Sequence, residues 1–176
     1  NPGQLELPFC IHTRYSTQQA ILEDIVASLH AQGMRKLIII SGHGGNNFKG
    51  MIRDLAFVYP DFLIIATDWF SIVSPKGYFE AEIDDHAGES ETSVMMHYHP
   101  ELVNLDEAGD GESKPFAIPS LNEKVGWAPR HWDKATIDSG VGNPRKASAE
   151  KGAHYVKPVI EKLAQLFTEV GQGELY

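Results

Sequence analysis

Cysteine is nearly absent from this 176-residue chain, and long hydrophobic runs are missing. Cys10 is the only cysteine, so no disulfide can form within the chain, and the composition gives secretion no support. No apolar segment approaches the roughly 20 residues that a membrane-spanning helix requires. We therefore expect a cytoplasmic protein that does not enter a membrane.

Positive charge is also scarce. Lys and Arg number 15 against 24 Asp and Glu, which gives a formal net charge of −9. Because nucleic-acid binding needs clustered Lys and Arg for phosphate contacts, this composition argues against it. The length and the hydrophobic fraction of 42% predict one folded domain over residues 1–176. Since the sequence starts at Asn1 instead of methionine, with no strand or helix pattern before it, we expect this domain to lack its N-terminal part.

Two continuous apolar segments, Lys36–Ser41 and Phe62–Thr67, are typical of parallel strands that are buried on both faces. Between them, 46–59 has the apolar spacing of a helix, which Pro60 ends. A strand–helix–strand unit of this kind predicts a right-handed crossover in a parallel sheet. The sequence therefore predicts an α/β fold.

Other helices and loops are predicted on either side of this unit. One helix starts near Ser16 and Gln19, whose spacing suits a capping box, and ends near Gly33. Its apolar residues recur at Ile21, Ile25 and Leu29, with Leu22 and Val26 beside them. A second helix follows Gly88 to about His99, and a third covers about 147–170 with Pro158 inside it. We interpret 116–142 as short β-like pieces and turns.

A glycine-rich turn, Ser41–Asn46, follows the first strand and contains His43. Glycine at this density usually marks a positive φ or the close approach of another group. A neutral imidazole there is a natural ligand for Zn²⁺, Mn²⁺ or Fe²⁺, so His43 is our candidate metal ligand. Gly44, Gly45 and Asn46 are candidate substrate-binding residues. The alternatives are a plain tight turn with a solvent-facing histidine, or a cradle of N–H groups for a phosphate.

Trp69 follows the second strand directly and so lies at the same edge of the sheet. A tryptophan more often serves packing than recognition, but this position makes Trp69 a better substrate-binding candidate than Trp127 or Trp132.

A second motif, Asp84–Thr92, crowds ionisable groups at the start of a predicted helix. Glu89 and Glu91 in the first turn favour the helix dipole, which is a sufficient structural reason for both. As a functional candidate, Glu91 is a buried carboxylate that orients a ligand or moves a proton. His86 is a candidate general acid–base group or a substrate ligand beside the metal, and Asp85 is a candidate substrate-binding residue. The structural alternative for His86 is a helix-start residue without a chemical role.

Together and in this order, GHGGN (Gly42–Asn46) and HAGESETS (His86–Ser93) resemble the creatininase, or creatinine amidohydrolase, family. A third segment, Gly140–Pro144, is similar to the Gly-x-x-Gly-Asp-Pro stretch of the family, with Asn143 in place of the Asp. The resemblance implies a three-layer α/β/α fold with a mostly parallel sheet. It also implies a divalent metal site with zinc foremost, homo-oligomers that are often hexamers, and hydrolysis of a non-peptide C–N bond.

Within this resemblance, His43 matches a metal ligand of the family, and His86 matches the histidine placed at the substrate. Gly45 stands where creatininase itself has a metal-binding glutamate, and the Glu-x-His-Gly segment and Asp that supply the other ligands are not in this sequence. We therefore expect a metal-dependent amidohydrolase other than creatininase, which acts on a small cyclic amide or formamide. The alternative is a non-catalytic anion- or nucleotide-binding module, or an inactive paralogue.

Overall fold

A computed structural model describes residues 2–174 of the chain. The α-helices are α1 (Tyr15–Ala31), α2 (Lys49–Val58), α3 (Glu89–Tyr98), α4 (Pro119–Asn122), α5 (Trp132–Ala135) and α6 (Ala149–Gln172). The strands are β1 (Lys36–Ser41), β2 (Leu63–Asp68), β3 (Asp84–His86) and β4 (Val141–Gly142). Short 3₁₀ helices cover Pro2–Gln4, Trp69–Ser71, Pro100–Leu102, Leu105–Glu107 and Pro144–Lys146. This mixture of helices and strands confirms the predicted α/β class.

The chain forms two compact units. The first comprises Asn1–His12 with Pro75–Pro158, and the second comprises Thr13–Ser74 with Val159–Tyr176. Helix α6 begins in the first unit and ends in the second. Across the part of the chain that the structure describes, no helix has both the length and the apolar character needed to cross a membrane.

The second unit contains the predicted strand–helix–strand. Strands β1 and β2 pair in parallel, in register from Lys36 opposite Leu63 to Ser41 opposite Asp68. Helix α2 lies between them in the sequence and begins at Lys49, three positions later than the sequence predicts. The Lys49 N–H donates to Oδ1 of Asn47 at 3.2 Å, so this asparagine forms a local turn before the helix starts.

The core of the second unit lies between α1, α2 and the parallel pair. Its buried residues are Leu22, Val26, Met51, Leu55, Phe62 and Ile64. The predicted stripe of α1 is partly wrong, because Ile21 and Ile25 are 53% and 45% exposed while their neighbours Leu22 and Val26 are buried. Adjacent residues of a helix point about 100° apart, so two apolar stripes were available and packing selected one.

The two ends of α1 differ in how well the sequence predicts them. The predicted capping box is wrong, because Arg14 is the N-cap and makes no side-chain capping bond. Ser16 therefore lies inside the first turn. The predicted stop is confirmed, since Gln32 is the C-cap and Gly33 adopts a φ of +87°, a conformation that glycine reaches without strain.

The first unit contains an antiparallel pair, β3 and β4, in which His86 pairs with Val141 and Asp84 with Gly142. The short β-like pieces predicted across 116–142 are mostly wrong. The helices α4 and α5 occupy part of this segment, and only its last two residues form a named strand. A proline in the first turn of α4 favours a helix there.

The end of α6 is held by a cation from the start of β1. The Nζ atom of Lys36 donates to the carbonyl oxygens of Val170 at 2.6 Å and Gly173 at 2.7 Å. The last carbonyls of a helix have no partner within the helix, so this lysine supplies donors that they would otherwise take from water.

Candidate functional site

The turn after β1 is closed by its own polar groups. The Ser41 side chain is buried, and its Oγ donates to the carbonyl oxygen of His43 at 3.1 Å. The Asn46 N–H donates to the same carbonyl at 3.1 Å, and Asn46 Nδ2 donates to Ser41 Oγ at 3.3 Å. These bonds fix the backbone that carries the half-buried imidazole of His43.

The ring of His43 already accepts a hydrogen bond within the turn. The Gly45 N–H donates to Nδ1 at 2.9 Å, which fixes the position of that nitrogen and its lone pair. Neither Gly42 nor Gly44 has a positive φ, so the glycine density does not reflect backbone strain at these positions. A Cβ at Gly42 would meet nothing within 4 Å, and one at Gly44 would meet only the Phe70 ring at 3.6 Å. The space beside this turn is therefore open within its unit.

This turn provides one candidate metal ligand, His43, and does not provide the several ligands of a metal centre. Catalytic zinc sites take three protein ligands and keep a further position for water or substrate. Among residues 2–174, no group of three or more His, Cys, Asp or Glu side chains converges to hold an ion. His43 can fill at most one coordination position, its Nδ1 lone pair is already engaged by the Gly45 N–H, and the described residues do not complete the site.

Trp69 lies against the same turn. Its Nε1 donates to the carbonyl oxygen of Gly42 at 3.4 Å, and its ring makes an edge contact with Phe70 at 6.1 Å between centroids. The structure thus brings Trp69 to the turn of His43, Gly44, Gly45 and Asn46, as the parallel pairing of β1 and β2 predicts.

His86 ends β3 in the first unit, and its ring lies against Trp132. The ring centroids are 4.8 Å apart with an angle of 63° between the planes, and Trp132 is only 6% exposed. The Arg130 guanidinium lies 4.7 Å from the centre of the same indole. Nη2 of Arg130 also pairs with Oδ2 of Asp85 at 2.7 Å. Asp85 and His86 are therefore linked through one arginine and one tryptophan.

Ala87 follows His86 in the left-handed region, with a φ of 50°. This conformation costs an L-amino acid of order 1–2 kcal/mol, so the surroundings must hold it. The Ala87 N–H donates to Oε2 of Glu91 at 2.7 Å, and Thr92 Oγ1 donates to the Ala87 carbonyl oxygen at 3.3 Å. Glu91 thus contacts the turn that presents His86, within the helix start predicted for it.

Glu89 is the residue of this motif that sequence reasoning undervalued. It is fully buried, and its carboxylate accepts the N–H groups of Glu80 at 2.8 Å and Ala81 at 2.7 Å as well as Nζ of Lys151. Burial raises the pKa of Glu89, but the bonds from Lys151 and the two backbone N–H groups outweigh it, so the pKa lies below its usual 4.5. The favourable interaction with the helix dipole therefore explains only part of why a glutamate occupies position 89.

Sequence reasoning also missed Trp132, which contacts His86, and Arg130, which contacts Asp85 and Trp132. Arg130 was not singled out, and Trp132 was ranked below Trp69. Both lie on or beside the four-residue helix α5, far from His86 in the sequence, and no local spacing connects them to it. The pair of tryptophans in 116–142 was the one sequence feature that pointed to these contacts, because a tryptophan that serves packing needs a partner side chain.

The sequence of this chain is similar to those of several characterised proteins. A mycofactocin precursor peptide peptidase of Mycobacterium ulcerans is 31% identical over 131 residues, which cover 72% of this chain and 45% of the peptidase. A creatinine amidohydrolase of Pseudomonas putida is 25% identical over 170 residues, which cover 88% of this chain. The chain spans 45% of the length of the peptidase and 63% of the length of this second relative.

The fold of this chain is also similar to those of solved structures. A Bacteroides fragilis protein described as a candidate creatinine amidohydrolase is 83% identical, with a TM-score of 0.97 over all of this chain and 70% of that one. A glutamate-to-glutamine mutant of creatininase, described as Zn-Zn type, shares the fold at 22% identity and a TM-score of 0.72, over 93% of this chain and 67% of that one. The sequence model for creatininase, described as creatinine amidohydrolase, matches residues 1–167. The chain therefore belongs to the creatininase family of amidohydrolases.

Proposed function

We propose that this protein is a metal-dependent hydrolase that cleaves a non-peptide C–N bond in a small molecule, a cyclic amide or a formamide. The observation that carries the proposal is the placement of His86. Its imidazole is held against a buried tryptophan and presented by a strained turn. Strain of this kind persists where the surrounding structure fixes it, and it is concentrated at functional sites.

His86 is the residue to which we assign proton transfer. An imidazole titrates near neutral pH, so it can donate a proton to the leaving nitrogen, and as a donor it can stabilise an oxyanion. The sequence offers Glu91 for the same role. Its Oε2 is engaged by the Ala87 N–H in the structure, which favours His86 for the transfer.

His43 is the residue to which we assign one metal ligand, and residues 2–174 show no group of three or more His, Cys, Asp or Glu side chains around it. If His43 holds a divalent ion, zinc foremost and Mn²⁺ or Fe²⁺ otherwise, that ion would lower the pKa of a bound water toward roughly 7 and make it available as the nucleophile. The Zn-Zn creatininase structure supports zinc by similarity.

Substrate contacts are proposed for residues that lie beside each histidine within its own unit. Gly44, Gly45 and Asn46 leave space at the β1 turn, Trp69 provides an apolar surface, and Asp85 provides a carboxylate. Gly45 has no side chain for a metal, which argues against creatinine as the substrate. Family resemblance further supports a homo-oligomer, a hexamer in the usual case. We also propose a cytoplasmic location, because the single cysteine gives secretion no support.

An anion-binding module without catalysis is the alternative hypothesis. It needs free N–H groups in the glycine-rich turn. The N–H groups of Gly45 and Asn46 are already donated to Nδ1 and the carbonyl oxygen of His43. This leaves the turn with fewer donors for a phosphate, so the geometry favours the hydrolase.

Metal analysis tests the assignment of His43. We expect mass spectrometry to find bound zinc, manganese or iron in the full-length protein, and to find little in His43→Ala. His97→Ala is the control, because it removes an exposed imidazole from the end of α3. Equal metal content in His43→Ala and the unsubstituted protein would contradict the assignment.

Hydrolysis tests the assignment of His86. Creatinine, formamide and acetamide are incubated with the full-length protein, and ammonia or product is measured. We expect His86→Asn to reduce kcat by about 10²–10⁴-fold, the usual contribution of a general acid–base group. A panel without any turnover, combined with tight phosphate binding that His43→Asn preserves, would instead support the binding module.

A further inference from the structure

The strained residue between His86 and Gly88 has both of its backbone polar groups bonded to one neighbouring helix. The Ala87 N–H donates to Glu91 Oε2 at 2.7 Å, and the Ala87 carbonyl accepts from Thr92 Oγ1 at 3.3 Å. At a φ of 50°, alanine lies where its Cβ is disfavoured, so these two bonds oppose relaxation of the turn.

The same turn determines where the imidazole of His86 lies. His86 directly precedes Ala87, and its ring packs on Trp132 at 4.8 Å between centroids. If Ala87 relaxed to a negative φ, the peptide that follows His86 would rotate and the ring would move relative to the buried indole. Glu91 is therefore connected to His86 through the conformation of one residue.

From this geometry we infer that Glu91 is a positioning residue, which holds Ala87 in the left-handed conformation and so places the imidazole of His86 on Trp132. Thr92 assists by bonding the carbonyl of the same residue. The inference rests on the proposed function only in taking His86 as the group that is positioned. It assigns Glu91 a role that requires its oxygen as an acceptor and does not require its proton.

Tryptophan emission gives a readout that needs no substrate. In a Trp69→Phe, Trp127→Phe background, Trp132 is the one remaining indole, because the chain has three tryptophans. His86→Ala in that background defines the emission of an indole without the imidazole contact. The fluorescence emission of Trp132 in each further variant is then compared with two references, the double-Phe parent and its His86→Ala variant.

Three variants separate positioning from proton transfer. Glu91→Gln keeps an acceptor oxygen of the same length, so we expect the emission of the parent. Glu91→Ala removes the acceptor, so we expect emission close to that of His86→Ala. Glycine at 87 tolerates a positive φ without a Cβ, so Ala87→Gly added to Glu91→Ala should return part of the parent emission. Thermal unfolding of each variant shows whether it is folded, and the kcat of Glu91→Gln decides the question if Glu91→Ala does not fold.

Activity on whichever panel amide the protein hydrolyses gives the second readout. Positioning predicts that Glu91→Gln keeps most of kcat, whereas a proton-transfer role predicts a loss of about 10²–10⁴-fold with unchanged emission. That second result would overturn the inference, as would parent-like emission in Glu91→Ala. Failure of the whole amide panel would count against the proposed function alone, since the emission measurements would still decide the role of Glu91.

Discussion

Glu89 is the residue whose replacement should most clearly reveal what stabilises the first unit. Its carboxylate is fully buried and accepts two backbone N–H groups and the Lys151 ammonium. In Glu89→Gln the charge is lost while the size is kept, and an amide NH₂ is placed among groups that are themselves donors. Removing one partner of a buried ion pair costs about 3–5 kcal/mol.

The structure places this variant at the lower end of that range. The Lys151 side chain is 26% exposed and also contacts Glu80, so it keeps a partner after the substitution. We expect a loss of about 3 kcal/mol, which corresponds to a fall in Tm of about 6–12 °C for a chain of this length. Thermal unfolding followed by circular dichroism measures it.

Glu80→Gln is the matched control for this experiment. Glu80 pairs with the same Lys151, but its side chain is 57% exposed, so solvent screens the interaction. We expect a much smaller change in Tm for Glu80→Gln than for Glu89→Gln. Equal shifts in the two variants, or an unchanged Tm in Glu89→Gln, would refute the argument that burial makes this carboxylate important.

Three further predictions follow from the same structure. Because the pKa of Glu89 is lowered in the folded protein, its contribution to stability is present above about pH 4.5 and is lost as the pH falls through the folded pKa. Acid should therefore reduce the Tm less in Glu89→Gln than in the unsubstituted protein. Gly152→Ala should lower the Tm, because its Cβ would collide with the backbone of Ser93, whereas Gly171→Ala in the same helix meets nothing within 4 Å and should be neutral or stabilising by about 0.5–1 kcal/mol; similar Tm values for the two would contradict this. Gly44→Ala should fold normally but hydrolyse its amide more slowly if substrate occupies that space, and full activity would remove Gly44 from the site.

The parallel pair was predictable because its sequence pattern has few alternatives. Lys36–Ser41 is a strand with the bounds that the sequence predicts, and β2 is shifted by one residue. The apolar run Leu37–Ile40, with three β-branched isoleucines and a glycine-rich turn after it, is too short for a helix of its own. The connecting helix then requires a parallel arrangement.

The faces of helices and the irregular segments were harder to predict. In α1, two neighbouring stripes were equally apolar, and only contact with α2 and the sheet selected Leu22 and Val26. Across 116–142, the short helices α4 and α5 lack the several turns that make helical periodicity visible. Tertiary contacts, which single-sequence patterns do not contain, decided both cases.

In the candidate site, too, some residues could be predicted from the sequence and others could not. His43 and His86 could be proposed as site residues because glycine-rich and acidic turns mark them locally, and their roles remain predictions. The role of Glu91 at Ala87 depends on a left-handed alanine, which no propensity favours. Trp132 reaches His86, and Arg130 reaches Asp85 and Trp132, only through the fold of the first unit. Local chemistry is therefore visible in the sequence, and the groups that orient it are not.

The contact of Lys36 with the end of α6 couples two segments that are distant in the sequence. Its ammonium bonds the carbonyls of Val170 and Gly173 while its backbone opens β1. Fraying of the final helical turn must break these bonds, and detachment of the strand's first residue releases the same carbonyls. Amide exchange with deuterated solvent in that turn therefore reports on opening at the base of the sheet.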